Sequence, residues 1–215
     1  TTQLMWGARS DVGCVRPHNE DSYLVQSPLF CVCDGMGGHA AGEVASSIAV
    51  ETIAKTAPQS ADAARLAAAV EAANAAVIEA ALNGLGKPGM GCTATCAYIE
   101  NDTLAIAHVG DSRAYLLHEG TLIRVTRDHS YVEELVDAGE ITADEARVHP
   151  NRSVITRALG SDPAMYADHF TLHIEEGDRL ILCSDGLSSM IPDSDIENIA
   201  TQSSSAQICV DNLVD

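Results

Sequence analysis

The sequence predicts an α+β fold: two antiparallel sheets packed as a sandwich, with helices on the outside. Three observations carry this. Short β-compatible runs come in pairs joined by turn signals, so neighbouring strands connect as hairpins rather than βαβ crossovers. A pair of Ala-rich helical stretches follows Gly38, and a second helical block closes the chain. With 215 residues, 46% apolar and 20% charged, the chain can bury a sizeable core, and residues 1–215 read as a single domain.

The elements follow in order. Residues 23–25 and 29–33 are short β-compatible runs separated by Gln26, Ser27 and Pro28. The second run is expected to end at Asp34-Gly35-Met36-Gly37-Gly38, which is too rich in glycine to continue either kind of element. Val44, Ile48 and Ile53, with neighbouring alanines, give a helix over 41–56 one apolar side, and Pro58 and Gln59 break it. Ser60 is the expected N-cap of a second helix over 61–82, where Leu66, Val70, Ala73 and Val77 fall at helical spacing. Two hairpins come next: 93–99 with 104–109 around Asn101-Asp102, and 114–117 with 122–125 around Glu119-Gly120. From 127 to 161 polar residues dominate around short helices at 131–138 and 143–147, which reads as a surface insertion. A third hairpin is expected from 170–174 and 179–183, and helices near Ser194 and Ser205 complete the chain.

The charge balance narrows the function. Lys plus Arg is 12 against 31 Asp plus Glu, a formal charge of −19. Such a surface repels nucleic acid and anionic lipid, and its carboxylates either solvate the protein or bind hard cations. No run approaches the ~18 apolar residues that span a bilayer, and the N-terminus lacks the basic-then-apolar pattern of a signal peptide. The seven Cys form no CxxC pair and no zinc-spaced Cys/His cluster. Buried reduced thiols in a cytoplasmic protein are expected, with Cys31, Cys33, Cys92, Cys96 and Cys183 in apolar strand-like runs. No heptad is evident, so a monomer is expected.

One pattern recurs. An apolar strand stops at an acid followed by a small residue: Val32-Cys33-Asp34-Gly35, Val109-Gly110-Asp111-Ser112 and Cys183-Ser184-Asp185-Gly186. Glu20-Asp21 directly precedes the first strand. A lone Asp-Gly after a strand is ordinarily a turn. Taken as a set, the endings point to acids converging at one edge of a sandwich, because acids beside apolar runs are costly unless paired or bound to a cation. Oxygen ligands without His or Cys select Mg2+ or Mn2+, and several acids in one site suggest two ions sharing a water, an arrangement suited to phosphoester hydrolysis. Arg16, four residues before Glu20, either binds a phosphate beside such a centre or forms an ordinary surface ion pair.

Arg16-Pro17-His18-Asn19-Glu20-Asp21, Asp34-Gly35-Met36-Gly37-Gly38-His39, Gly110-Asp111-Ser112-Arg113-Ala114 and Ser184-Asp185-Gly186-Leu187, in this order, resemble the motifs of the metal-dependent (type 2C) serine/threonine protein phosphatases in their small bacterial form. The stretch 126–160 resembles that family's flap through Thr126-Arg127-Asp128-His129-Ser130, His149-Pro150 and Leu159-Gly160. The resemblance covers nearly the whole chain. It implies a four-layer αββα sandwich with a two-metal site at one edge and a flap subdomain over 127–161. It also implies hydrolysis of phosphoserine and phosphothreonine in proteins by metal-activated water, with no phosphoenzyme. By match to the motifs, Asp34 would bridge two Mn2+ or Mg2+ ions, the Gly35 carbonyl would bind one and Asp185 the other. Glu20 and Asp21 would act mostly through waters, Arg16 would hold the substrate phosphate, and Asp111 would belong to a third, weaker ion site. His129, His149, Arg152 and Arg157 are flap candidates, for substrate contact or for tethering the flap to the body. The implied partners are phosphorylated proteins and a cognate serine/threonine kinase in a bacterium.

Two positions depart from the family pattern. Met36 stands where some members carry a His proposed as general acid, so the leaving alkoxide must be protonated by a metal-bound water or another group. His39, near in sequence, is expected to cap the helix start or pack. The family's last motif, Gly-Gly followed by Asp-Asn and a final strand, is absent; Asp211-Asn212 lies in a helical-looking stretch over 208–214. One carboxylate ligand and one strand would then be missing, either because the chain is truncated or because one ion is weakly held. This leaves two rival functions: a non-catalytic phosphoprotein-binding protein, and a two-metal esterase acting on small phosphorylated molecules.

Overall fold

The computed structural model describes residues 3–38 and 40–215. Among them, two antiparallel sheets form. In the first, β1 (Asp21–Gln26), β2 (Leu29–Met36), β4 (Ala94–Glu100), β5 (Thr103–Val109) and β8 (Asp168–His173) lie in that order, and the two-residue β3 (Gly91–Cys92) pairs with the end of β2. The second sheet has β6 (Arg113–His118) between β7 (Thr121–Arg124) and β9 (Arg179–Cys183). Helices α1 (Ala41–Thr56) and α2 (Ala63–Leu82) cover the first sheet. Helices α6 (Asp193–Gln202) and α7 (Ala206–Val214) cover the second, giving four layers in the order αββα. Between these lie the short α3 (Tyr131–Asp137), α4 (Ala143–Arg147) and α5 (Asp185–Ser188). None of the described helices is long and apolar enough to cross a membrane.

The two-residue side-chain period of strands produces the layering. On β5, Ala105, Ala107 and Val109 pack with Ile53, Leu66, Val70 and Val77 of the helices. Leu104 and Ile106 alternate to the other face and cluster with Ala114, Phe170 and Leu182 between the sheets. On β9, Ile181 and Cys183 join Tyr115, Ile196 and Leu213 beneath α6 and α7, while Leu180 and Leu182 turn inward. The same alternation acts on β2. Leu29, Cys31 and Cys33 go under α1 and α2, so Asp34, one residue on, belongs to the inter-sheet side.

Five expectations need correction. β2 does not stop before Asp34 but runs to Met36, because Gly35 and Met36 pair with Cys92 and Gly91. Glycine is required there rather than disruptive: α1 lies so close that a Cβ on Gly35 would run into the Gly42 backbone and come within 2.6 Å of the Glu20 carbonyl oxygen. Helix α2 starts later than expected, with Asp62 instead of Ser60 as its cap, accepting the Arg65 N–H at 3.1 Å. The runs at 170–174 and 179–183 are not a hairpin. β8 pairs with β5 and β9 pairs with β6, so the connection between them crosses from one sheet to the other. Their apolar residues meet across the sandwich, not side by side. The 127–161 segment is also not all surface, since Asp128, His129 and Ser130 are buried. Cys14 is exposed, whereas the other six free thiols are buried.

Candidate active site

Four acids reach one rim from separate elements. Asp34 sits near the end of β2, and Asp21, the first residue of β1, is directly opposite it in the strand register. Asp111 lies in the crossover that leaves β5 in the first sheet and enters β6 in the second. Asp185 follows β9 and opens α5. One carboxylate oxygen from each of Asp34, Asp111 and Asp185 lies within 4.8 Å of the other two. Ser184 Oγ donates to Asp21 Oδ2 at 2.8 Å, which ties the edge of the first sheet to the second.

This crowding has an electrostatic signature. Burial, reinforced by Asp185 and Asp21, pushes the Asp34 carboxyl up to about 10. Burial, with Asp185 and Asp128 nearby, pushes Asp111 up to about 7. Asp111 Oδ1 is buried without a hydrogen-bond partner among the described residues, as is Glu20 Oε1. Carboxylates this close either share protons or take a cation. The donors are all oxygens, so the set fits a hard divalent ion and offers a soft one no ligand.

Neutral groups hold the acids in place. Thr93 grips the Asp34 backbone twice: its Oγ1 accepts the Asp34 N–H at 3.0 Å and its N–H donates to the Asp34 carbonyl at 2.9 Å. Thr93 Oγ1 also lies 2.5 Å from Ser112 Oγ, beside Asp111. Gly110, at φ 105°, donates its N–H to His129 Nδ1 at 2.9 Å. The ring proton therefore sits on Nε2, which donates to Asp168 Oδ2 at 2.7 Å. Arg157 Nη1 donates to Asp168 Oδ1 at 2.8 Å, with its guanidinium 4.2 Å over the Tyr166 ring. Leu159 exchanges backbone hydrogen bonds with Cys92, and Gly160 donates to Asn74 Oδ1 at 2.8 Å. Farther along the same segment, Arg147 Nη1 reaches the carbonyls of Ser188 at 3.3 Å and Ile191 at 3.5 Å.

Of the residues singled out in the sequence, Asp34, Asp111 and Asp185 come together, and Asp21 joins through its register and Ser184. Asp111 lies in the same cluster of carboxylates. Gly35 is adjacent on β2, with its N–H donating to the Glu20 carbonyl at 3.1 Å. The Glu20 carboxylate lies against Gly42, outside the three-carboxylate group. Arg16 is exposed, four residues before Glu20, without an ion pair among the described residues. His129 and Arg157 act as tethers to Asp168 of the first sheet. His149 and Arg152 contact each other locally, Arg152 Nη1 donating to the His149 carbonyl at 3.1 Å, and Arg152 stays exposed. His39 lies outside the described residues. Thr93 and Asp168 were not singled out in the sequence, and Ser184 only as part of a motif with no role of its own: a lone hydroxyl between two short strands forms no pattern, and Asp168 begins a strand where the recurring acids end one.

The Gly35 contact has a measurable consequence. Gly35→Ala is expected to cost about 3 kcal/mol or more, since the neighbours are backbone and cannot rotate away. Urea unfolding checks this, and an unchanged midpoint would contradict the close approach of α1 to β2.

Comparison with known proteins agrees with this architecture. The family described as Protein phosphatase 2C matches residues 8–215. Serine/threonine protein phosphatase PstP of Mycobacterium tuberculosis is 43% identical over 202 residues, covering 91% of this chain, and the chain spans only 38% of that protein's length. The crystal structure of the Mycobacterium tuberculosis serine/threonine phosphatase PstP/Ppp superposes with a TM-score of 0.90 at 40% identity, covering 96% of this chain and 88% of that one. A structure of the PstP catalytic domain in complex with 2 manganese ions gives a TM-score of 0.87 at 38% identity, covering 96% and 87%. An αββα sandwich with carboxylates gathered at one rim, matched over nearly its whole length, belongs to the protein phosphatase 2C family.

Proposed function

We propose that this domain hydrolyses phosphoserine and phosphothreonine in proteins, using two divalent cations, Mn2+ or Mg2+. The observation that carries this reading is the convergence of Asp34, Asp111 and Asp185 within 4.8 Å of one another, with a buried oxygen of Asp111 left unsatisfied. Asp34, Asp185 and the Gly35 carbonyl would hold the ion pair, with Glu20 and Asp21 at its periphery and Asp111 offering a third, weaker position. When bound, such ions supply positive charge to phosphoryl oxygens and make water more acidic. The manganese-bound relative supports the choice of ion.

The chain's own groups do the positioning. Arg16, exposed in the segment that leads into Glu20 and β1, would bind two phosphate oxygens as a fork. Ser184 fixes one Asp21 oxygen, and Thr93 fixes the Asp34 backbone from both sides. His129, held by Asp168, sets the Gly110 turn and so the direction of Asp111. Met36, two residues after Asp34, has no proton to give, so the leaving seryl or threonyl oxygen would take one from water or another group in the site. The 127–161 segment serves as the flap, with His149 and Arg152 as its candidates for substrate contact. A cognate kinase as the source of substrate, and a monomer working in the cytoplasm, complete the reading.

Phosphate release from a phosphothreonine peptide is expected with added Mn2+, and is expected to vanish with EDTA and in Asp34→Ala. Peptide binding without turnover at any Mn2+ concentration would instead assign a phosphoprotein-binding role. Higher kcat/KM on small phosphoesters than on phosphopeptides would assign a small-molecule esterase.

A further inference from the structure

We infer that the far end of the second sheet carries a separate cation site, built from His118, Glu119 and Glu175, for a borderline first-row ion of the Zn2+, Co2+ or Ni2+ kind. This does not rest on the phosphatase reading. His118 ends β6 and Glu119 opens the tight turn to β7, while Glu175 and Asp178 belong to the connection that enters β9. β6 and β9 are hydrogen-bonded neighbours, so the turn and the connection lie side by side. The acid rim is at the other end of this ladder, where Arg113 pairs with Cys183 and Asp111 and Asp185 follow.

The donor set is not acidic alone. His118 Nδ1 lies 2.6 Å from Asp178 Oδ1, and the Asp178 side chain is only 8% exposed. Asp178 Oδ2 accepts the Glu175 N–H at 2.9 Å, so this carboxylate is fixed at both oxygens. A carboxylate can only accept here, so Nδ1 carries a proton; Asp178 first, with Glu119 and Glu175, raises the pKa of the ring, and an incoming ion takes the Nε2 position by displacing the proton there. Nε2 is 3.8 Å from Glu119 Oε2 and 3.8 Å from Glu175 Oε2, and makes no hydrogen bond among the described residues. One ligand atom from each of the three residues lies within 4.8 Å of the others. Ligands about 2.0–2.2 Å from a tetrahedral ion stand roughly 3.4 Å apart, so small rotations of two flexible Glu side chains close the set. An imidazole backed by a buried carboxylate is how proteins orient metal-binding histidines. A nitrogen ligand also favours this class of ion over the hard cations suited to the acid rim. Bound there, the ion would pin the β6–β7 turn to the connection between the sheets.

The test is Zn2+ titration of the full chain by calorimetry, with Mg2+ saturating the acid rim and 1H–15N spectra following the histidine rings. One Zn2+ equivalent is expected, with His118 Nε2 shifting on binding. Affinity is expected to fall tenfold or more in His118→Gln and in Glu119→Gln, the latter at a side chain 83% exposed that cannot disturb folding. Asp178→Asn is expected to weaken binding 10–100-fold by releasing the ring. The site is expected to persist in Asp34→Asn/Asp185→Asn. Unchanged Zn2+ uptake in His118→Gln and Glu119→Gln would overturn the proposal, leaving His118 as a plain imidazolium ion pair. Loss of uptake in the Asp34/Asp185 double variant would overturn it too, by assigning the ion to the acid rim.

Discussion

Asp34→Asn is expected to lower phosphatase turnover by about 10²–10³-fold or more, while making the metal-free protein more stable. The Asp34 carboxyl has an ordinary value of 3.8 and is pushed up to about 10 in the fold, by burial first and by Asp185 and Asp21 next. Below the ordinary value the group is protonated in both folded and unfolded chains, and its full contribution to stability is present. As pH rises toward the folded value, the unfolded chain releases the proton while the fold retains it, and that contribution is lost. At about 1.4 kcal/mol per pH unit, the loss at neutral pH is on the order of 4 kcal/mol, spread over the coupled acids. Asn carries no charge and is spared this penalty. Urea unfolding of the EDTA-treated wild type and variant should show a gain near pH 7 that shrinks toward pH 4. A variant that is less stable at neutral pH, or a gain that ignores pH, would contradict the crowding of carboxylates at the rim.

Arg113→Met is expected to destabilise the protein by about 3–5 kcal/mol. Arg113 Nη2 donates to Asp128 Oδ2 at 2.7 Å, and its Nε donates to both Asp128 oxygens at 3.0 and 3.2 Å. Nη1 donates to Tyr115 Oη at 3.0 Å, and that hydroxyl donates to Asp193 at 2.8 Å at the start of α6. The two side chains are only 18% and 8% exposed. Removing the cation leaves the Asp128 charge buried and alone, which costs far more than the pair contributes. The double variant Arg113→Met/Asp128→Leu is therefore expected to recover much of the loss. Urea midpoints of the two variants and the wild type close the comparison, and a neutral single variant would mean that water reaches Asp128.

The layering was legible from paired strand runs with helical blocks beside them, and β5 and β9 read as apolar throughout because both of their faces are covered. Asp34 was legible as the acid that stops an apolar run, an ending repeated at Asp111 and Asp185. The pairings of β4 with β5 and of β6 with β7 were legible too, but the partners of β8 and β9 were not. Phe170 and Leu172, like Leu180 and Leu182, present an apolar inner face, and that pattern is the same whether two strands lie side by side or face one another. Ser60 and Asp62 are both good caps, so local preference could not place the start of α2. Gly35 looked like a breaker because its need, the nearby backbone of Gly42, lies outside the strand. His129 stood out as a flap residue, yet its task depends on Asp168, 39 positions away.

The segment from 127 to 161 is joined to the first sheet near its ends, through His129 and Leu159, and to the second through the Arg113–Asp128 pair, while its middle leans on the second half of the molecule by side chains, Arg124 to Glu133 and Arg147 to the Ser188 and Ile191 carbonyls. Two stiff roots and a soft midspan make an adjustable aperture. The midspan contacts are a few charged side-chain hydrogen bonds, each contributing about 1–3 kcal/mol. Such contacts can exchange with water one at a time, so the midspan can shift while the roots and the core stay in place.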